Sequence, residues 1–314
     1  MRRQGDFRMR NLAATTFTLL LAACATRAPI ADRADDPRLL ADVRQAVAAL
    51  GPGVRAAVWL GRPGETPQLA WNVETPLPCA SAIKAAYLVE LFADRASALD
   101  APLPGAAATL ADAQHPAVAH FTAAQRTTAA QALATASTRR IAEAMITGKG
   151  VDNVTYNIAA NLVTAHLGGP VGLDAKLHAR DPDWHGLHVR RYMLASRTMN
   201  GDNECSARSL AAVHAALAAH DLAGVAPAAI DAARAVLRIA DAGDGRARFY
   251  KGGALDSDPV TRVDAGWREG PDGARVHVVM LAQDGVAPAG RGVAGEHLGD
   301  AARRIVDMLH APRR

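Results

Sequence analysis

The chain has 314 residues, of which half are apolar, 4% are aromatic and 21% are charged. This composition excludes a disordered, collagen-like or disulfide-scaffold protein and allows a large core that needs no metal or cofactor to fold. The formal net charge is +4, and four arginines and one aspartate before position 24 carry +3 of it. The rest of the chain therefore has a net charge of only +1. Because this charge is small and aromatic residues are few, the sequence predicts no nucleic-acid partner.

The N-terminal segment has the pattern of a targeting signal. Residues 1–10 are basic, and residues 11–23 are apolar but too few to cross a bilayer, which needs about 20 apolar residues. We interpret residues 1–23 as a secretory signal peptide, with Met1 and Met9 both open as its start.

A cysteine follows this segment directly. The sequence Leu21-Ala22-Ala23-Cys24 resembles the lipobox of bacterial lipoproteins, which implies a lipid on Cys24 and a membrane anchor. The resemblance also implies the periplasmic side of the cell envelope, and Ala25, which is not an aspartate, favours the outer membrane. Residues 24–36 would then be a tether. The alternative is an ordinary signal peptide with an incidental Cys24.

A helix and two strands are predicted at the start of the domain, which we place at residues 37–314. Apolar residues at helical spacing predict a helix over Pro37–Leu50, which Gly51-Pro52-Gly53 ends. Val54–Leu60 and Gln68–Val73 are β-type runs separated by a Gly- and Pro-containing turn, so they predict a hairpin.

The rest of the chain is predicted to be helical first and then β. From Ser81 to about Leu222, an Ala- and Leu-rich sequence predicts a block of helices that Gly- and Pro-rich segments interrupt. Three strands and a helix are predicted after it: Arg246–Tyr250, Val260–Arg268, Arg275–Ala282 and about Gly295–Leu309. This order predicts an α+β fold in which both chain ends build one antiparallel sheet.

One serine stands in a pattern that suits nucleophilic catalysis. Ser81-x-x-Lys84 falls where a strand gives way to a helix, so the hydroxyl and the amine lie on one face, one turn apart. The amine can take the proton of the hydroxyl if burial among apolar residues lowers its pKa. The Gly-x-Ser-x-Gly motif of the α/β-hydrolases is absent from the sequence.

Two further segments support this interpretation. Thr155-Tyr156-Asn157 places a hydroxyl and an amide at the head of an apolar helix, and Lys251-Gly252-Gly253 lies on a predicted strand. Together with Ser81-x-x-Lys84, these segments resemble the three signatures of class A β-lactamases and related penicillin-recognising serine hydrolases. The resemblance covers essentially the whole mature chain and implies the fold of that family.

The resemblance implies a role for each residue of the first two signatures. Ser81 would be the nucleophile that forms the acyl-enzyme, and Lys84 would exchange a proton with it. Thr155 would carry a proton to the leaving nitrogen, where the family has a serine. Asn157 would hold the substrate amide and Lys84, while Tyr156 stands where the family has an aspartate.

The third signature would recognise the substrate. Lys251 would attract the substrate carboxylate, and Gly252 replaces the usual threonine or serine, so one hydroxyl is missing beside Gly253. The backbone N–H groups of Ser81 and Ala254 would form the oxyanion hole.

The second signature allows one alternative register. Val151-Asp152-Asn153 also imitates it, although Val151 has no hydroxyl. In that register the family-like Ala159-Ala160-Asn161 would be displaced along the helix.

Two cysteines flank the candidate site in the sequence. Cys79 lies two residues before Ser81, and Cys205 lies near the expected end of the loop that borders the site. They could pair in an oxidising periplasm. Spacing alone does not show connectivity, so a disulfide and two inert buried thiols are both open.

Two other motifs predict no separate chemistry. The segment Gly290–Gly295 matches Gly-x-Gly-x-x-Gly, but only 19 residues follow it, so we predict a loop rather than a dinucleotide site. His185 and His188 have no third ligand at a recognised spacing. We therefore expect a packed or solvated histidine pair and no metal.

The deacylating acid of the family has no obvious counterpart. Class A enzymes carry a glutamate on a loop between the second and third signatures, and it activates the water that hydrolyses the acyl-enzyme. Residues 190–196 fall at that position and hold no acid, and Glu204 is expected to pair with Arg190 or Arg191. Three other acids could reach the site only if this loop has a different conformation from that of the family: Asp181, Asp183 and Asp202.

These observations lead to one functional hypothesis and one alternative. The hypothesis is a monomeric serine hydrolase, without cofactor, that opens a β-lactam or a related amide and deacylates slowly. The alternative is a lipid-anchored module of the same fold that captures a penicillin or a peptidoglycan-like fragment without turnover.

Overall fold

The computed structural model describes residues 28–239 and 246–311, so the predicted signal peptide and Cys24 lie outside the described residues. In chain order, helices α1 to α10 span Pro37–Ala48, Lys84–Asp94, Ala106–Ala111, Ala123–Leu133, Thr138–Thr147, Asn153–His166, Gly169–Arg180, Ala207–Ala219, Pro227–Leu237 and Arg291–His310. Strands β1 to β11 span Arg33–Ala34, Val54–Gly61, Leu69–Trp71, Leu77–Pro78, Leu187–His188, Glu204–Cys205, Arg238–Ile239, Ala247–Tyr250, Gly253–Asp256, Val260–Gly270 and Gly273–Gln283.

The main sheet joins the two ends of the chain. Its order is β1-β3-β2-β11-β10-β8-β7, all neighbours are antiparallel, and β9 pairs with β10 beside β8. The central contact pairs β2 with β11, from Val54 opposite Gln283 to Gly61 opposite Val276. A small sheet of order β4-β6-β5 lies apart from it. The predicted α+β fold, with a sheet built from both chain ends, is confirmed.

Both faces of the sheet are covered, and the alternation of side chains along a strand explains how. On β11, Val278 and Met280 belong to one core, while Val279 and Leu281 belong to the other. The smaller core lies under α1 and α10, and the larger core contains the helical block. Sequence periodicity alone does not distinguish these two faces, because consecutive residues of β11 from Val278 to Ala282 are all apolar.

Helix α2 runs through the larger core. Its residues from Lys84 to Phe92 are all buried, as expected of a helix that is apolar all round. Lys84 is the first residue of this buried helix. The fold thus places a lysine amine where water is largely excluded.

Two predicted boundaries are corrected by the structure. Arg33 and Ala34 pair with Ala70 and Leu69 in the main sheet, so part of the predicted tether belongs to the fold. The segment predicted as a loop at Gly290–Gly295 is already helical from its second residue, where α10 begins. Among the described residues, no helix combines the length and apolar composition that crossing a bilayer would require.

Candidate active site

The serine of the first signature lies on a tight turn between β4 and α2. A 3-10 turn spans Ala80–Ile83 and contains Ser81, and Ala80 adopts a left-handed backbone with a φ of 48°. Such a φ is uncommon for a residue with a side chain, and strained residues of this kind cluster at functional sites. Ser81 is partly exposed, whereas Lys84 is fully buried.

The amine of Lys84 is held by the second signature. Its Nζ lies 3.0 Å from Asn157 Oδ1 and 3.4 Å from the centre of the Tyr156 ring. Burial lowers the pKa of Lys84 well below its usual value, and the positive charge of Lys251 lowers it further. The neutral amine, which can accept a proton, is therefore favoured over a wider pH range than in an exposed lysine.

The start of α6 decides which residues of the second signature face the cavity. Asp152 caps the helix by accepting from the Thr155 backbone N–H at 2.6 Å, so the helix begins at Asn153. Residues three and four apart share a helix face, which brings Asn153, Tyr156 and Asn157 together at the cavity.

The predicted position of Thr155 is therefore corrected. Its side chain is 1% exposed and hydrogen-bonds Asp152. It is not among the residues that line the cavity. Thr155 points away because the helix begins two residues before it, a boundary that the sequence did not reveal.

The side chain that contacts both lysines is that of Tyr156. Lys251 Nζ donates to Tyr156 Oη at 2.9 Å and to the carbonyl of Ile146 at 3.0 Å. The same ring covers the amine of Lys84. Sequence reasoning treated Tyr156 only as a departure from an aspartate. The sequence feature that could have pointed to Tyr156 is its position directly before Asn157.

The structure also distinguishes the two registers of the second signature. Asn157, not Asn153, contacts Lys84. The amide of Asn157 donates to the Asn153 carbonyl at 2.9 Å, as neighbouring turns of one helix allow. The alternative register beginning at Val151 does not place its asparagine against the lysine.

The third signature lies where β8 ends and β9 begins. A Cβ on Gly253 would come within 3.0 Å of the Ser81 backbone nitrogen and 2.9 Å of that of Ala82, so this strand packs directly on the nucleophile turn. That close approach brings the backbone of Ala254 to the cavity wall beside Ser81. Only glycine fits at position 253 without moving the turn.

The missing hydroxyl at Gly252 has a structural explanation. A side chain at this position would overlap the hydroxyl of Tyr250 and approach the Val263 carbonyl to 2.7 Å. Burial raises the pKa of Tyr250, so its hydroxyl stays protonated at neutral pH. Tyr250 therefore occupies the space that a threonine or serine at position 252 would need.

The loop over the cavity, residues 189–203, presents a methionine. Asn161 Oδ1 accepts from the Met193 backbone N–H at 2.6 Å, and Asn161 Nδ2 donates to the Met193 carbonyl at 3.1 Å. Met193 lines the cavity together with Ser81. The buried amide of Asn161 thus holds the backbone of Met193, an apolar residue, at the position where the resemblance implies an acid.

The acids near this loop are held in ion pairs. Asp202 pairs with Arg191 and Arg197, and Glu204 pairs with Arg190 at 2.8 Å. The pairing expected between Glu204 and one of two arginines is thus found with Arg190.

Asp181 and Asp183 are engaged elsewhere. Asp181 accepts from the backbone of Asp183, and Asp183 pairs with Arg208 at 2.8 Å. The loop has not been rebuilt to bring either acid to the cavity lining.

A disulfide links the nucleophile turn to the end of the loop. Cys79 and Cys205 are bonded, with a Cα–Cα distance of 5.5 Å. Of the two alternatives that the sequence left open, the structure contains the bonded one. β4 and β6 pair beside it, so the loop and the turn are joined by both covalent and backbone contacts.

These elements enclose a cavity of about 740 Å³, large enough for a small-molecule substrate. Its lining includes a set of residues from all the segments described: Ser81, Tyr156, Asn157, Met193, Lys251 and Ala254. Lys84 lies behind this wall, buried against Tyr156 and Asn157.

No protein-family model matches the chain, and no curated protein matches it in sequence. Solved structures do match. A variant of the reconstructed last common ancestor of the class A β-lactamases of Gram-negative bacteria aligns with a TM-score of 0.63 at 18% identity, covering 88% of this chain and 100% of that one. The chain has the class A β-lactamase fold.

Two other structures with this fold are informative. A β-lactamase from Sphaerobacter thermophilus aligns with a TM-score of 0.58 at 18% identity, over 87% of this chain and 99% of that one. A variant of PBP-A, solved as the acyl-enzyme with penicillin G, aligns with a TM-score of 0.54 at 20% identity. That alignment covers 85% of this chain and 97% of PBP-A. The resemblance drawn from three short signatures is therefore confirmed for the fold.

Proposed function

We propose that this protein is a β-lactamase-like serine hydrolase that is acylated on Ser81 by a β-lactam or a related amide and releases the product slowly. The observation that carries the proposal is a buried Lys84 amine, held by Asn157 and Tyr156 one turn from Ser81. A lysine whose pKa is lowered by burial is suited to accept a proton from a serine hydroxyl.

In the proposed acylation, each proton has an assigned position. Lys84 takes the proton of Ser81 as Oγ forms a bond to the carbonyl carbon, and the carbon–nitrogen bond of the amide then breaks. Tyr156 donates its hydroxyl proton to the leaving nitrogen, and the neighbouring Lys251 ammonium stabilises the phenolate that remains. Transfer of the proton from Lys84 to the neighbouring Tyr156 restores both groups.

Substrate recognition is proposed for the residues around the β8–β9 connection. The backbone N–H groups of Ser81 and Ala254 would bind the oxyanion, each worth about 3–4 kcal/mol of transition-state stabilisation in a comparable site. Lys251 would attract a substrate carboxylate. Asn157 would hold the substrate amide.

Slow deacylation is proposed because Met193 offers no base. The thioether cannot take a proton from water. Asp202 lies on the same loop and also lines the cavity, but it is in ion pairs with Arg191 and Arg197, and Glu204 is in an ion pair with Arg190. General-base assistance, typically 10²–10⁴-fold, would be missing from this step. The same observation favours the second candidate, a module that captures penicillin or a peptidoglycan-like fragment and does not turn it over.

The decisive experiment combines labelling with kinetics. Purified protein is mixed with fluorescent penicillin, and stopped-flow absorbance follows a chromogenic β-lactam. We expect one label per chain and a burst of one equivalent followed by slow turnover. A stoichiometric label with no further turnover would favour the capture module. Linear, burst-free turnover near the enzyme median of about 10 per second would refute slow deacylation.

Ser81→Ala supplies the control for these measurements, because the change removes the nucleophile and little stability. We expect labelling to vanish while the melting curve stays close to that of the parent. Ser97→Ala, an exposed serine on the helical block, is the matched variant and should label fully. Labelling that survives in Ser81→Ala would remove Ser81 from the mechanism.

A location in the bacterial cell envelope is also proposed. The Cys79–Cys205 disulfide supports it, because disulfides persist mainly in oxidising compartments such as the periplasm. Cys24 would carry the lipid. Mass spectrometry of the mature N-terminus tests this: diacyl- or triacylglyceryl mass on Cys24 supports it, and an unmodified N-terminus at another residue overturns it.

A further inference from the structure

A second group of ionisable side chains lies outside the cavity, where α7 approaches β5. Asp174 and His178 are one turn apart on α7, and His188 is the last residue of β5. One ligand atom from each lies within 4.8 Å of those of the other two. The residues are half-buried and come from two elements that the fold brings together.

Hydrogen bonds fix how His178 presents its ring. Its Nε2 lies 2.7 Å from the Leu187 carbonyl, and because a carbonyl only accepts, Nε2 carries the proton. In the neutral ring, Nδ1 then has a lone pair. A carbonyl that sets the tautomer in this way is the usual partner of a metal-binding histidine.

The lone pair of His178 faces a carboxylate rather than a donor. Nδ1 lies 3.6 Å from Asp174 Oδ2, which is longer than a hydrogen bond. Two ligands of a tetrahedral zinc ion, at about 2.1 Å from the metal, are about 3.4 Å from each other. The separation of these two acceptor atoms therefore suits a cation between them.

The other atoms of the group are positioned as well. Asp174 Oδ1 accepts from the Val189 backbone N–H at 2.7 Å, which leaves Oδ2 toward the two imidazoles. Glu204 lies opposite His188 in the β5–β6 pair, but its carboxylate is in an ion pair with Arg190.

We propose that Asp174, His178 and His188 bind one divalent transition-metal ion of the zinc type, with water completing the coordination. Two imidazoles and one carboxylate are a donor set that zinc accepts. The ion would tie α7 to β5, the strand that leads into loop 189–203. Of the pair that the sequence singled out, His188 takes part and His185 does not: His185 hydrogen-bonds the His178 carbonyl instead. The other two proposed ligands, Asp174 and His178, lie on α7.

Metal titration tests the site directly. Purified protein is treated with a chelator, and Zn²⁺ is added in a calorimeter. Co²⁺ is added separately to follow the visible absorption of a tetrahedral site. We expect one ion per chain, and a melting temperature raised by about 5 °C at Zn²⁺ concentrations near 100 times the dissociation constant. His188→Ala and Asp174→Asn should weaken binding by more than the 10–100-fold that loss of an outer-sphere partner costs.

A matched histidine controls for nonspecific binding. His166 is also paired with an aspartate, Asp94, at 2.9 Å, but has no second imidazole beside it. His166→Gln should bind Zn²⁺ as the parent does. The proposal is overturned if the parent binds no stoichiometric ion, or if His188→Ala, folded by circular dichroism, binds Zn²⁺ with unchanged affinity. Equal losses in His166→Gln and His188→Ala would also overturn it.

Discussion

The two walls of the cavity differ in their chemistry. One wall, which the proposed function makes the acylation side, is lined by Ser81, Tyr156, Asn157 and Lys251. Lys84 lies buried behind it against Asn157 and Tyr156, and Lys251 contacts the Tyr156 hydroxyl. The opposite wall, loop 189–203, turns Met193 to the cavity and uses its charged groups in ion pairs with one another.

Under the proposed function, this difference means that the chain keeps the groups for forming an acyl-enzyme and has an apolar side chain where a deacylating base is expected. The amide of Asn161 holds the loop backbone at Met193, so the position is well ordered whatever its side chain is. Variants that change one wall at a time should affect acylation and deacylation separately.

Lys84→Met should abolish most of the function of the acylation side. It keeps the volume of the buried side chain but removes the base, and we expect acylation to slow by about 10³–10⁴-fold. In the parent, the acylation rate should rise with pH as Lys84 loses its proton. Because burial lowers this pKa, the rise should occur well below 10.5, and it should be absent in the variant. Stopped-flow rates across pH measure both effects.

The control for this variant is Lys176→Met, at an exposed lysine on α7. It should leave the acylation rate and its pH profile as they are in the parent. A profile for Lys84→Met that still rises over the same pH range would assign the titration to another group.

Met193→Glu should give the loop a carboxylate that acts as a general base in deacylation. A carboxylate at this position, on the backbone that Asn161 holds, would activate water, and we expect deacylation to accelerate by about 10²–10³-fold with little change in acylation. Steady-state turnover after the burst is the measurement. Met193→Gln has nearly the same size but no base, so it should stay slow. Equal acceleration by both variants would point to water access rather than base catalysis.

Tyr156→Phe should show whether the Tyr156 hydroxyl, which accepts a hydrogen bond from Lys251, transfers a proton during acylation. It keeps the ring over Lys84 but removes the contact with Lys251, and we expect acylation to slow by about 10²-fold. Thr155→Val is the comparison, because Thr155 is buried away from the cavity. That variant should retain its acylation rate. A loss in Thr155→Val as large as that in Tyr156→Phe would contradict the assignment.

Removing the disulfide should affect stability more than chemistry. The double change Cys79→Ala and Cys205→Ala opens a loop of 126 residues, and we expect a loss of about 2–5 kcal/mol in the free energy of unfolding. Because β4 and β6 still pair beside it, the acylation rate should remain close to that of the parent. Denaturant unfolding with and without a reductant measures the first effect. If reduction left the stability of the parent unchanged, the bond would have no such role.

The sequence by itself determined the fold class, and it predicted most of the residues that the structure brings together around the cavity. Alternating and helical periodicity located α1, β2, β10 and β11, because each has a clear apolar pattern that its local neighbours do not override. Ser81, Lys84 and Lys251 were found for a different reason: their residue types at short spacings are tied to one chemistry. Asn157 was found in the same way, with one competing register.

Tertiary structure alone decided the rest. The exchange of Thr155 for Tyr156 depended on the residue at which α6 begins, and a helix boundary moves a side chain by 100° for each residue. The roles of Asn161 and Gly253 depended on contacts between segments far apart in the chain. So did the approach of Asp174 and His178 to His188, because no short spacing records which strand a helix packs against.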